Sequence, residues 1–267
     1  MFFTSAIILL SALVSGLLML VFRVPRKPLR LLLGFSGAFL LALSLLHLIP
    51  ELYHEGGSYT GIWILAGFLI QVLLEYITAG VEHGHDLTHG HSHTHDHSHS
   101  HDHPHTHNHA HDHSHVRHIV PVGVLVGLCL HAFLEGMPLG SQAVGEALFP
   151  PFVLGIVLHN IPIAIAFAGL MLHLGISHRR IVLNLLLFAV MTPAGMLASY
   201  SIGTQLTGGL TPYFHAITAV VVGIFLHIST TILFESSENH RFNAIKFFII
   251  LLGAAAAWLV TIVAAHG

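Results

Sequence analysis

The sequence predicts an all-α membrane protein with eight transmembrane helices and both termini outside. Three observations support this: an apolar composition, eight long apolar segments, and the positions of the basic residues. Of the 267 residues, 54% are hydrophobic and only 8% are charged, and the mean hydropathy is +0.79. Because one spanning helix needs about 20 mostly apolar residues, the chain consists largely of spans and has no room for a large soluble domain.

The apolar segments alternate with short polar, Gly- or Pro-containing connections. A segment that crosses a bilayer alone satisfies its backbone hydrogen bonds as a helix. We therefore expect spans 1–3 within residues 1–82, a loop at 83–117, and spans 4–8 within 118–267. Spans 1 to 8 are expected at 3–22, 31–52, 60–80, 118–140, 148–173, 181–204, 213–235 and 244–265.

The basic residues provide an independent test of this topology. All nine fall in the connections that follow odd-numbered spans or, for Lys246, in the first turn after such a connection: Arg23, Arg26, Lys27, Arg30, Arg117, Arg179, Arg180, Arg241 and Lys246. Cytoplasmic connections are enriched in Lys and Arg. Eight spans with both ends outside place all nine in the cytoplasm, as expected for a multi-pass protein of the plasma (inner) membrane.

The net charge of −3 argues against a nucleic-acid partner, because there is no basic surface to neutralise phosphates. The lipid bilayer is the expected surrounding.

The loop at 83–117 is extremely rich in histidine. Of the 27 histidines in the chain, 17 lie between residues 83 and 118. Every second residue is histidine across His89, His91, His93, His95, His97, His99, His101, His103, His105, His107, His109, His111, His113 and His115. Such low-complexity sequence cannot form a core and should be disordered without metal. Imidazole binds zinc, copper, nickel and cobalt ions, so metal capture or sensing explains the pattern better than a polar spacer does.

Polar residues inside spans 4 and 5 predict a second metal-binding region. In span 4, His131 and Glu135 are four residues apart and share one helical face. In span 5, His159 and Asn160 precede Pro162. Both histidines fall near the bilayer middle, where ionisable residues are costly and usually functional.

Two imidazoles and a carboxylate form an open site that suits zinc. Pro162 removes an N–H and frees the carbonyl of Leu158 from its usual partner, and interrupted helices often bind ions in transporters. Either histidine alone could instead make a helix-packing hydrogen bond. The nearby Glu135 favours a metal, because a cation would satisfy a buried carboxylate.

Two further groups of residues have alternative interpretations. Residues at the outer end of span 2 form either a metal entrance or a solvated helix end: His47, Glu51, His54 and Glu55. In span 7, His227 either contacts the metal pathway or makes a packing hydrogen bond. At the inner end of span 7, Glu235 and Glu238 form either an exit for metal or a solvated face.

These motifs resemble those of the ZIP (Zrt/Irt-like) family of zinc transporters over nearly the whole chain. The family pattern His-Asn-x-x-Asp/Glu-Gly in span 4 stands here as residues 131–136, HAFLEG. The span 5 pattern His-Glu-x-Pro-His-Glu stands as residues 159–164, HNIPIA. The resemblance implies a ZIP-like helical bundle that moves divalent metal into the cytoplasm by alternating access and has no enzymatic activity.

The chain departs from the family where many relatives bind a second metal. Those ligand positions are occupied here by Ala132, Asn160, Ile163 and Thr192. We therefore expect a single metal in each pathway, held by His131, Glu135, His159 and Asn160.

The resemblance also implies that spans 1, 4, 5 and 6 move against a scaffold of spans 2, 3, 7 and 8, in a homodimer. Zinc is the expected cargo, and Fe2+, Mn2+ and Cd2+ are alternatives. A membrane-anchored metal sensor or buffer that uses the His-rich loop is the competing function. A cation-diffusion exporter should have Asp within its spans, and an intramembrane metalloprotease should have His-Glu-x-x-His; the chain has neither.

Overall fold

The computed structural model describes residues 2–55, 59–78, 114–140, 148–205, 211–235 and 244–266. Within these ranges the chain is helical apart from short turns, and it contains no strand. The helices are α1 (Phe2–Phe22), α2 (Arg26–Leu43), α3 (Ile49–Glu55), α4 (Thr60–Thr78), α5 (Ser114–Gly136), α6 (Phe149–His173), α7 (His178–Gln205), α8 (Thr211–Glu235) and α9 (Ala244–His266).

The eight predicted spans are confirmed as helices in this order. Span 2 consists of α2, a π-helical segment (Ser44–Leu48) and α3, and span 4 consists of α5 and a short 3-10 segment (Met137–Gly140). Seven of the spans are long and apolar enough to cross a membrane, and the apolar part of α4, Thr60–Tyr76, is shorter.

Several helices begin earlier than the charge pattern predicts. The second span was expected from residue 31, but α2 begins at Arg26, so Arg26, Lys27 and Arg30 lie in its first turns. Lys and Arg are good helix formers, and Pro28 is tolerated in a first turn. The helix therefore begins within the basic residues, before the apolar segment starts.

Proline distorts span 2 but does not interrupt α6. In span 2, the π-helical segment Ser44–Leu48 lies just before Pro50, whose ring cannot accommodate regular helical packing against the preceding turn. In contrast, α6 is continuous through Pro162. The helix is therefore not interrupted beside His159, although Pro162 still lacks the N–H that would pair with the carbonyl of Leu158.

The helices pack in two groups. In the site group, α1 contacts α6 and α7, and α7 contacts α5 and α6. In the flanking group, α2 contacts α8 and α9, and α4 contacts α8. The groups meet through α2 with α6, α4 with α5, and α6 with α9. This is the same grouping of spans that the family resemblance implies.

Glycines allow very close helix crossings within each group. In the site group, a Cβ on Gly136 would overlap the carbonyl oxygen of Thr192, and one on Gly195 would overlap that of Phe133. In the flanking group, Gly67 and Gly223 make the same kind of approach between α4 and α8. Small residues at membrane helix crossings permit such backbone contact, so α5 with α7 and α4 with α8 form tight parallel pairs.

The apolar cores differ between the two ends of the bundle. We call the end where α1 begins and α9 finishes the terminal end, and the end where α4 finishes the loop end. A core nearer the terminal end joins both groups, with Phe39 from α2, Phe152 from α6 and Phe225 from α8. A core nearer the loop end lies within the site group and contains Phe167 and Phe188.

Candidate functional site

The buried pair His131 and Glu135 forms the centre of the candidate site. Both side chains lie on one face of α5, near its end, and both are 0% exposed. His131 Nε2 lies 3.8 Å from Glu135 Oε2, which is longer than a hydrogen bond. Two ligand atoms on one tetrahedral zinc ion are about 3.3 Å apart, given the usual zinc–ligand bond lengths. A small adjustment would allow both atoms to bind one ion.

His159 brings a second imidazole to the pair from α6. The ring centroids of His131 and His159 are 5.9 Å apart, with the planes at 78°. Two imidazoles bound to one tetrahedral zinc have centroids about 5 Å apart. His159 is 1% exposed. His131 thus lies beside both the carboxylate and the second histidine that were singled out in the sequence.

Asn160, the fourth predicted ligand, is also buried and 1% exposed. Its Oδ1 atom accepts no hydrogen bond from the described residues. A buried amide oxygen normally has a partner, and amide oxygens bind divalent cations. Asn160 is therefore chemically able to add an oxygen ligand beside His159.

These residues are not yet closed around an ion. In the described ranges, no three His, Cys, Asp or Glu side chains are close enough together to hold one metal. His131 belongs to both close pairs, with Glu135 and with His159, so it is the side chain through which a three-ligand site would form. In each of these two pairs, the groups would need to approach by up to about 1 Å to bind one tetrahedral ion.

Gln71 is a site neighbour that the sequence interpretation missed. Its Oε1 atom lies 3.2 Å from His131 Nδ1, and its side chain is 0% exposed. Gln71 is on α4, so this hydrogen bond joins the flanking group to the site group. The available signal was a neutral amide in the middle of a mostly apolar span, which a search for charged residues does not detect.

A second polar pair joins α8 to α4. His227 Nε2 lies 3.4 Å from Glu75 Oε2, with the side chains 9% and 20% exposed. The ring of Phe68 contacts His227 edge-on at a centroid distance of 4.8 Å. Glu75 lies one helical turn from Gln71 on α4. His227 therefore contacts a neighbouring helix within the flanking group. The sequence interpretation missed Glu75, although this residue lies inside span 3.

The described side chains of the predicted metal entrance form no cluster of three that could hold a metal. His47 Nε2 is 2.6 Å from the hydroxyl oxygen of Thr261 on α9, while Glu51 and His54 are exposed. Glu55 is the last residue of α3. The described geometry thus fits the alternative of a polar helix end at Glu51 and His54. His47 instead joins the π-helical segment of span 2 to α9 through its hydrogen bond with Thr261.

The remaining predicted residues lie at or beyond the limits of the described chain. Glu235 is the last residue of α8, and Glu238 lies outside the described residues. The loop histidines from His89 to His113 also lie outside them, and His115 is described only as part of the first turn of α5. Their predicted roles stay predictions.

The positions that depart from the family's two-metal pattern are buried. Ala132 and Ile163 both pack into the core of the site group near the loop end, and Thr192 is 2% exposed. Neither the side chain of Ala132 nor that of Ile163 carries an atom that can bind a metal.

Comparison with known proteins identifies the family of the chain. A family model described as ZIP Zinc transporter matches residues 1–261, which include the candidate site and every span except the last few residues of span 8. No curated protein gives a significant match to the chain. Because the family match covers nearly all of the sequence, the chain belongs to the ZIP zinc transporter family.

Proposed function

We propose that the protein carries zinc into the cytoplasm through a single-metal site at the bilayer midplane, by alternating access. Its family membership supports the coarser statement, transport of divalent metal cations by a multi-pass membrane protein that is not an enzyme. The metal, the direction and the mechanism are part of our proposal. It also includes a homodimer in the plasma membrane with the His-rich loop in the cytoplasm.

The observation that carries the proposal is the fully buried pair of His131 and Glu135 beside His159. A carboxylate inside a membrane is costly unless a proton or a cation compensates its charge. Two imidazole nitrogens and one carboxylate oxygen make a donor set of intermediate softness, with a position left for Asn160 or water. This donor set suits zinc well and also accepts Fe2+, Mn2+ or Cd2+.

The apolar neighbours support one metal rather than two. Ala132 follows His131, and Ile163 lies one turn after His159; both contribute methyl groups to a packed core. A second ion beside the first would face these groups instead of ligands, and its desolvation would be uncompensated. We therefore propose a stoichiometry of one zinc ion in each pathway.

The two helix groups support alternating access. The glycine crossing of α5 with α7 makes the site group a tight unit, and its own core near the loop end does not depend on the flanking group. Such a unit can shift against the flanking group while its ligands stay together. Movement of packed units of this kind is a common form of gating.

The decisive test is zinc uptake by purified protein in proteoliposomes. We expect His131→Ala, Glu135→Ala and His159→Ala to reduce uptake to background. His173→Ala is the matched control, because His173 is an exposed histidine at the end of the same helix as His159 and should transport normally. Wild-type uptake in a His131→Ala, His159→Ala double variant would show that this site is wrong.

The cargo is tested by direct competition. Zinc uptake is measured in the presence of Fe2+, Mn2+ or Cd2+, each at the same free concentration. We expect unlabelled zinc to compete at least as well as any of the other three. Stronger inhibition by Fe2+ or Mn2+, each shown to be transported, would reassign the preferred metal while leaving the site in place.

A further inference from the structure

We propose that Gln71 is a positioning residue that holds the His131 imidazole with its Nε2 atom ready to bind metal. This inference rests on the proposed function, since it assumes that His131 is a ligand. It assigns a specific task to a residue on α4, outside the two motif-bearing spans.

The hydrogen bond with Gln71 determines the tautomer of His131. Gln71 Oε1 is a carbonyl oxygen and can only accept a hydrogen bond, so His131 Nδ1, at 3.2 Å, is the donor. A neutral imidazole carries one proton. With that proton on Nδ1, the lone pair is on Nε2, which is the form required for binding a metal through Nε2.

In this tautomer, the metal-binding nitrogen of His131 faces the Glu135 carboxylate. Nε2 is the His131 atom that lies 3.8 Å from Glu135 Oε2. The nitrogen with the lone pair and the carboxylate therefore face the same small volume. In the other tautomer, Nε2 would carry a proton and could not bind metal. Partners of this kind on the second nitrogen of a ligand histidine typically alter metal affinity by 10–100-fold.

Gln71 and His131 belong to different helix groups. His131 moves with the site group, whereas Gln71 belongs to α4, which is paired tightly with α8. A hydrogen bond of 3.2 Å is lost when its partners separate by about 1 Å. Gln71 thus orients His131 only in the arrangement of the groups seen here, and a shift of the site group would release the ring and weaken metal binding.

A purely structural role is the competing explanation, because any buried amide needs partners. The two explanations differ in what substitutions at position 71 should do. A structural role depends on filling the space and stabilising the fold. A positioning role depends on an acceptor atom placed at Nδ1, and it affects metal affinity selectively.

The test is zinc uptake in proteoliposomes by the full chain, with KM and kcat measured separately. Gln71→Met removes the acceptor at nearly constant size, and Gln71→Asn keeps the amide but withdraws its oxygen by one methylene. We expect both to raise KM about tenfold or more, with kcat within about threefold. Gln71→Glu restores an acceptor at the same reach and should bring KM to within about threefold of wild type.

Thr218→Val is the matched control. Thr218 is a buried residue of α8, in the flanking group, and it donates a hydrogen bond to the carbonyl oxygen of Phe214. Its removal should leave KM unchanged. Equal KM values for wild type, Gln71→Met and Gln71→Asn would overturn the inference, as would a Gln71→Glu variant as impaired as Gln71→Met.

The same assay separates failure of this inference from failure of the proposed function. If His131→Ala abolishes uptake and the Gln71 variants behave as wild type, only the positioning role is wrong. If His131→Ala transports normally, the site itself is wrong. Should Gln71→Met not fold, Gln71→Asn and Gln71→Glu still give opposite expected results.

Discussion

The two ends of the helix bundle are held together differently. Near the terminal end, residues from both helix groups share one core, in which the rings of Phe152 on α6 and Phe225 on α8 lie 5.5 Å apart. Toward the loop end, the site group has its own core around Phe167 and Phe188. At the terminal end, side chains of the two groups thus pack against each other. Toward the loop end, the side chains of each group pack mainly within that group.

This difference indicates which way the candidate site opens. A path to His131 from the terminal end would have to separate Phe152 from Phe225, along with their neighbours. A path from the loop end follows the boundary between two separately packed groups. We infer that the arrangement described here is closed at the terminal end, and that transport requires the shared core to come apart once in each cycle.

The largest expected effect comes from truncating the shared core with Phe225→Ala. In a packed soluble core, such a change costs about 3–5 kcal/mol. We expect uptake to fall at least about tenfold, because the terminal end no longer closes firmly. Closure is measured with a single cysteine at position 156, made as Ile156→Cys in a Cys129→Ser background. An impermeant maleimide is added at the terminal side, and labelling of this cysteine should rise at least about tenfold.

Phe167→Ala is the control for this comparison. Phe167 is equally buried on α6, but it packs within the site group. Its truncation should lower thermal stability without raising the labelling at position 156. Equal labelling in the Phe225→Ala and Phe167→Ala backgrounds would contradict the assignment of the shared core as the closing contact.

A second prediction compares two glycines of α6. A Cβ on Gly155 would lie 3.0 Å from Leu40 Cδ2 of the flanking group, and one on Gly169 would lie 3.0 Å from the flexible Met19 Cε of the site group. We expect Gly155→Leu to reduce uptake about tenfold, because it wedges the groups apart. Gly169→Leu should reduce it less than threefold, since Met19 can move. Equal uptake rates in the two variants would refute the distinction.

A third prediction concerns the polar pair of Glu75 and His227. The carboxylate of Glu75 is partly exposed and 3.4 Å from His227, one turn closer to the loop end than Gln71. A negative charge there attracts a departing cation, so Glu75→Gln should lower kcat about threefold and leave KM unchanged. Glu51→Gln, at an exposed glutamate near the terminal end, is the control and should change neither. A raised KM in Glu75→Gln would place Glu75 in the binding site instead.

The smallest effect is expected from deleting residues 89–115. If transport depends on the midplane site, the maximal uptake rate should stay within about twofold of wild type, while regulation or apparent affinity changes. Uptake into proteoliposomes and metal retained by detergent-solubilised protein are measured side by side. The competing sensor or buffer function predicts the opposite result, with metal retention lost along with the loop and unaffected by His131→Ala.

The fold could be predicted because the bilayer imposes simple rules. Apolar length determined the spans, and the Lys and Arg positions gave the same count. The helix starts were less predictable, since Arg26 and Lys27 already belong to the helix that the charge pattern predicts to begin at residue 31. The distortion at Ser44–Leu48 and the continuity at Pro162 were also unforeseen, because a proline's effect depends on which neighbouring helices surround it.

The site was only partly predictable for a related reason. His131 and Glu135 meet through helical spacing, which sequence reveals directly, and their proximity to His159 followed from matching depths in the bilayer. The contacts of Gln71 with His131 and of Glu75 with His227 depend on the lateral arrangement of helices. Hydropathy and charge describe depth in the membrane and carry no information about which helices stand side by side.

The glycine that follows Glu135 has a practical consequence for engineering. Gly136 places the backbone of α5 directly against the carbonyl oxygen of Thr192, one residue from the candidate ligand carboxylate. A larger residue at 136 would tilt this turn and move the carboxylate along with it. Attempts to change the metal preference should therefore vary Ala132, Asn160 and Ile163. Gly136 should be left unchanged, because it determines where the Glu135 carboxylate lies.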